Sequence, residues 1–144
     1  MNEVETKILW EKEPPPIVNN HPCVWNLVLE DIKNPRFNHP SQEKIYSLFI
    51  EDVKKRDEFG FSKYKTRLQP FNGRKSMKDL YEELLDAVVY SRQTLYEEEK
   101  NQVIQTLDSN FYILGMTYIY TTILDCALRL KFMLEKKKEN QNNV

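Results

Sequence analysis

The chain has 144 residues, 40% hydrophobic and 30% charged, the size of one domain with the balance of a folded protein. Its 21 Lys and Arg against 22 Asp and Glu leave a net charge of −1, which excludes a globally basic coat and makes nucleic acid an unexpected partner. Three glycines, two cysteines and two histidines are too few for a turn-rich β fold, a disulfide framework or a Cys- or His-rich metal site, and no dinucleotide-binding or P-loop glycine motif occurs.

Residues 1–16 read as an N-terminal arm and linker: an extended Thr6–Trp10, then the stiff run Glu13-Pro14-Pro15-Pro16. Acids stand where a signal peptide carries bases. The longest uncharged apolar run, Phe111–Leu124, falls short of the roughly 20 residues that span a bilayer. A cytoplasmic protein without a membrane partner is therefore expected. Residues 17–136 read as a helical domain, and 137–144 as a polar, flexible tail.

Four helices are predicted within that domain. The first covers about Pro22–Lys33, with Pro22 in the first turn and Asn34-Pro35 as the stop. The second covers about Ser41–Glu58, capped by Ser41 and ended near Gly60. A loop over Phe61–Lys75 follows, with Pro70 and Asn72-Gly73 as its turn residues. The third starts at Ser76, where Ser76-Met77-Lys78-Asp79 suits an acidic capping box, and reaches at least Glu99. Asp108-Ser109-Asn110 reads as a break and new cap, and the fourth helix runs from there to about Lys136. Val24–Lys33 and Ile45–Lys54 align at an offset of 21 residues with four of ten positions identical, through duplication or through a shared amphipathic pattern.

Helical wheels select the candidate site residues. In the second helix Ile45, Tyr46, Leu48, Phe49 and Val53 form an apolar arc that also contains Asp52 and Arg56. Spaced i and i+4, these two are expected to pair on a buried stripe, as a structural ion pair or as the lining of a polar cleft; Asp31 holds the matching place in the first helix. The third helix sets Tyr81, Leu84, Leu85, Val88 and Leu95 against a stripe of Asp79, Glu82, Glu83 and Asp86, with Tyr90 beside it. That stripe is either a solvated face or a Mg²⁺ site. The fourth helix is apolar almost all round except for Tyr118, Thr122, Asp125 and Arg129 at i, i+4, i+7 and i+11, which suggests a polar pocket or a buried network. Gly115 on the same side would allow close approach. Lys63, Lys65, Arg67, Arg74, Lys75 and Lys78 make the loop before the third helix basic, either simply solvated or suited to phosphate at a helix N-terminus. Cys23 stands at a helix start, but no nucleophile–base–orienter set is readable.

Glu51–Asp57, Lys63-Tyr64, Leu68–Arg74 and Asp79–Tyr90 together resemble small helical proteins of bacteriophages, some of them likened to the MazG-like all-α nucleoside triphosphate pyrophosphohydrolases. Glu83-x-x-Asp86 is similar to the second acidic motif of that family, in which paired motifs on neighbouring helices bind Mg²⁺ and place water on a triphosphate. The first motif is missing, because Lys54 stands three residues after Glu51. The resemblance implies a nucleotide-related helical fold and, in a phage setting, sequestration of a host immune signal.

These observations predict an all-α bundle of four main helices with an N-terminal arm, oligomeric through its C-terminal helix. The expected function is non-catalytic binding of a phosphorylated small ligand such as a nucleotide or nucleotide-derived signal. Arg74 and Lys75 would hold phosphate, Asp52 and Arg56 would fix hydroxyls, Tyr90 or Tyr118 would stack on a ring, and Thr122, Asp125 and Arg129 would line the pocket. Asp52, Arg56, Asp125 and Arg129 are thus expected to turn inward on a shared hollow. No cofactor is needed. The alternatives are a Mg²⁺-dependent pyrophosphohydrolase with Glu83, Asp86 and Asp52 as metal ligands, and a helical inhibitor that binds protein.

Overall fold

The computed structural model describes residues 14–33, 43–101 and 107–142. All regular structure among them is helical: α1 (Val24–Lys33), α2 (Glu43–Tyr64), α3 (Ser76–Asn101) and α4 (Leu107–Asn142). The all-α expectation with four helices is met. The Thr6–Trp10 arm and the Ser41 cap lie outside the described residues.

Several boundaries differ from the expected ones. Pro22 precedes α1, whose first turn closes on the Cys23 carbonyl, reached by the N–H groups of Asn26 at 3.0 Å and Leu27 at 3.4 Å. Gly60 does not end α2. The helix passes through it to Tyr64 and stops at Lys65, which takes the left-handed conformation (φ 59°). There the Lys65 N–H returns to the Phe61 carbonyl at 2.8 Å, the geometry of a helix cap usually given to glycine. A mid-helix glycine costs only about 1 kcal/mol, too little to stop a helix that continues on both sides. The first turn of α3 closes on the Lys75 carbonyl, one residue before Ser76. α4 starts at Leu107, so Asp108–Asn110 are helical rather than a break, and it continues past Lys136. Its last turns are held by Lys131–Glu135 (2.6 Å), Lys136–Glu139 (2.8 Å) and Lys138–Glu135 (3.2 Å), pairs at the i+3 and i+4 spacings that support a helix surface.

The chain divides after Arg74 into two units, one carrying α1 and α2 and the other α3 and α4. In the first unit α1 packs on α2, and Val53 is its buried apolar side chain among the described residues. Side-chain amides tie the segment before α1 to the loop after α2. Asn19 Nδ2 donates to the carbonyls of Pro70 (2.8 Å) and Phe71 (3.2 Å). Gln69 Nε2 donates to the carbonyls of Asn19 (2.8 Å) and His21 (2.6 Å), and its Oε1 accepts from the Asn19 N–H. Buried Asn72 accepts the Arg74 N–H on Oδ1 at 3.1 Å, and its carbonyl receives the Ile17 N–H at 2.9 Å. Gly73, at φ 84°, turns the chain here. This polar clasp pairs the backbone groups of two segments some fifty residues apart.

In the second unit α3 and α4 form an antiparallel hairpin. Arg92 lies over the Tyr120 ring at 5.9 Å and Lys131 over the Tyr81 ring at 5.8 Å, so residues descend along α3 as they ascend along α4. A row of covered positions on α4, Ile113, Met116, Tyr120, Ile123, Ala127, Leu130 and Leu134, is spaced alternately by three and four as in a helix-pair seam, with half-buried Leu124, Lys131 and Glu135 beside it. Leu95 and Ser91 of α3 are buried with Ala127 and Leu130 of α4.

Candidate functional site

The last turns of α2 place one strong feature in the first unit. Arg56, Gly60 and Lys63 recur at four and three residues, on one face of the helix. Gly60 has no side chain, and no atom lies within 4 Å of where its Cβ would stand. The gap opens into a cleft of about 240 Å³. Arg56, Lys63, Arg67 and Arg74 line it, together with the rings of Trp25, Phe59, Phe61 and Tyr64. This is a cationic hollow with aromatic walls.

Its cations are held in different ways. The Arg67 guanidinium makes a bidentate ion pair with Asp57, through Nε to Oδ1 at 3.2 Å and through Nη2 to Oδ2, and it also donates to Asn26 Oδ1 at 3.2 Å. The hydrogen bond to Asp57 raises the Arg67 pKa above the ordinary arginine value. Arg67 therefore links α1, α2 and the loop, and Asp57, the one carboxylate on the cleft wall among the described residues, is already engaged. Arg56 lies over the Phe59 ring at 5.2 Å and Lys63 over the Tyr64 ring at 4.9 Å, contacts that hold a cation in place while leaving its N–H donors available. Arg74 Nη1 donates to the Pro14 carbonyl at 3.3 Å.

Of the residues singled out from the sequence, Arg56 and Arg74 reach this cleft; Asp52 and Lys75 do not line it. Asp52 and Arg56 are both exposed, as are Ile45, Leu48 and Phe49 around them, while Tyr46 is half-buried and Val53 buried, so most of the expected buried stripe faces solvent. Among the described residues no ion pair joins Asp52 to Arg56; the Phe59 ring takes the guanidinium instead. On α4 the stripe of Tyr118, Thr122, Asp125 and Arg129 faces away from α3 and is exposed throughout. Asp125 and Arg129 do pair, at 2.7 Å, but on the open surface, and that hydrogen bond raises the Arg129 pKa. Tyr118, Thr122, Asp125 and Arg129 therefore line no hollow within their own unit among the described residues, because the α4 seam against α3 takes the opposite side. Gly115 likewise faces open space. Tyr90 is exposed, with Glu83 and Asp86 on the same helix. Among the described residues no three His, Cys, Asp or Glu side chains gather closely enough to hold a metal ion; Asp52 belongs to the first unit and Glu83 and Asp86 to the second. On the α3 stripe Glu83 and Asp86 face solvent while Asp79 and Glu82 are half-buried, Glu82 beside Lys78 at 3.8 Å.

Trp25, Asp57, Phe59, Phe61, Lys63, Tyr64 and Arg67 are among the cleft residues that sequence spacing did not bring together as one site. The legible signal was the basic count from Lys63 to Arg74; what was hidden was the extension of α2 through Gly60, which puts Lys63 two turns from Arg56 on the same face. α4 also differs from expectation in another respect. By length and composition it is apolar enough to cross a membrane, and little of that stretch is covered. Compared with protein families, characterised proteins and solved structures, the chain matches none.

Proposed function

We propose that the cleft at the end of α2 binds a phosphorylated small molecule without transforming it. The observation that carries this reading is the convergence of Arg56, Lys63, Arg67 and Arg74 on one aromatic-walled hollow whose single carboxylate is already engaged. Cations concentrated in a concave site favour an anion, Arg offers planar, bidentate donors for phosphate oxygens, and the rings offer a face for a base or other planar group. A hollow of about 240 Å³ is smaller than typical drug-sized sites of roughly 300–1,000 Å³, which favours a ligand of nucleotide size or less. In the phage-like setting that the resemblance implies, such a protein would work in the host cytoplasm, withdrawing a nucleotide-derived signal. The uncovered apolar surface of α4 supports a working form that is a homo-oligomer.

The test is a thermal-shift panel of nucleoside mono-, di- and triphosphates and cyclic nucleotides, with mass spectrometry of the ligand released on denaturation. One or more nucleotides should raise Tm and be recovered unchanged, and Arg56→Glu with Lys63→Glu should abolish the shift while leaving helicity intact. A flat panel sinks the reading, and recovery of a cleaved nucleotide would instead favour the hydrolase.

A further inference from the structure

α2 builds the floor of the cleft around a residue without a side chain. Seven of its residues line the hollow, the first Arg56 and the last Tyr64. At 100° per residue they spread over an arc of about 200°, and Gly60 stands at its middle. Along the axis Arg56 lies four residues before Gly60 and Lys63 three after, about 6 Å and about 4.5 Å at the rise of an α-helix. Two long cationic side chains therefore bracket an open stretch of helix, where nothing lies within 4 Å of the place a Cβ would take.

The cations of the cleft are not equally available. Arg67 is neutralised by Asp57 and also donates to Asn26, and Arg74 donates to the Pro14 carbonyl. Arg56 and Lys63 rest on the rings of Phe59 and Tyr64, and among the described residues no carboxylate pairs with either. Asp52 stands one turn before Arg56 on the same side of α2, yet it neither pairs with Arg56 nor lines the cleft. A ring face attracts a cation without consuming its N–H donors, so these two side chains keep both their charge and their donors for a ligand. Resting on the binding reading above, we infer that the ligand is a phosphate monoester such as a nucleoside 5′-phosphate, its phosphoryl group seated over Gly60 between Arg56 and Lys63 and its planar part against the cleft rings. Above its second pKa of about 6 a phosphate monoester carries close to two negative charges, which match the two unpaired cations, and it offers three terminal oxygens to their N–H groups. A cyclic nucleotide, like any phosphodiester, brings a single charge and two such oxygens. A di- or triphosphate chain brings more charge than Arg56 and Lys63 neutralise, and more bulk to a hollow of about 240 Å³ that is already below drug-sized sites.

Isothermal titration at about pH 8, above that phosphate pKa, tests this with matched probes. They are the 5′-monophosphates of adenosine, guanosine, cytidine and uridine, the methyl ester and the 3′,5′-cyclic form of each, and the corresponding di- and triphosphates. At least one monophosphate should bind about tenfold tighter than its methyl ester and its cyclic form, the effect of one further charge beside two cations. Arg56→Gln and Lys63→Gln, with helicity verified by circular dichroism, should each bring that ratio towards unity. Equal binding of a monophosphate and its methyl ester, or tightest binding of a cyclic form or a di- or triphosphate, overturns the monoester and leaves the binding reading intact. A ratio unchanged in both variants overturns the seat over Gly60. Silence from every probe overturns the inference and the binding reading together.

Discussion

Arg67 shows how one side chain can serve both stability and chemistry. Its guanidinium satisfies a half-buried carboxylate on α2 and an amide on α1 while standing on the cleft wall. Removing it leaves Asp57 with no charge partner in a partly desolvated place. Loss of charged hydrogen bonds of this kind costs roughly 1–3 kcal/mol. Arg67→Ala is therefore expected to lower the denaturation midpoint in urea clearly, and Arg67→Lys to rescue little, since an ammonium cannot match two carboxylate oxygens at once. Arg56, exposed and seated on a ring, is the contrasting case. Its charge reversal should leave the midpoint nearly unchanged and act on ligand binding instead. Equal losses of stability from the two would show that the cleft cations are only structural.

At the level of elements, α2 and α4 carry the consequences of continuing where a stop was expected. Gly60 inside α2 weakens the helix and, by having no side chain, opens the floor of the cleft. Gly60→Ala should therefore raise Tm, by about 0.5–1 kcal/mol in stability, and at the same time reduce the thermal shift given by a bound ligand. A gain in stability with undiminished binding would mean that the ligand does not use that floor. The seam of α4 was legible as an apolar pattern, but its sense was not. A helix apolar almost all round does not announce which side its neighbour takes; two of its hydroxyls, on Thr117 and Thr121, donate back to the carbonyls of Ile113 and Thr117 at 2.8 and 2.9 Å.

For the molecule as a whole, little apolar surface is buried in either unit, and a small core gives little stability by itself. If α4 pairs with a second copy, stability depends on mass action. Tm should rise by a few degrees for each tenfold increase in protein concentration, and Phe132→Glu should abolish that dependence; a Tm independent of concentration would show that the hairpin stands alone. The sequence by itself determined the helical class, the start of α3 near Ser76, the apolar side of α3 and the basic run from Lys63 to Arg74, because periodicity, glycine scarcity and local charge are properties of neighbours along the chain. Tertiary structure alone decided that Asp52, Asp125 and Arg129 face water, that Arg56 and Lys63 share a hollow with Arg67 and Arg74, and that Asn19, Gln69 and Asn72 clasp two distant segments. Those outcomes depend on which of several apolar arcs finds a partner, and on hydrogen bonds between residues some fifty positions apart, neither of which leaves a periodic trace in the sequence.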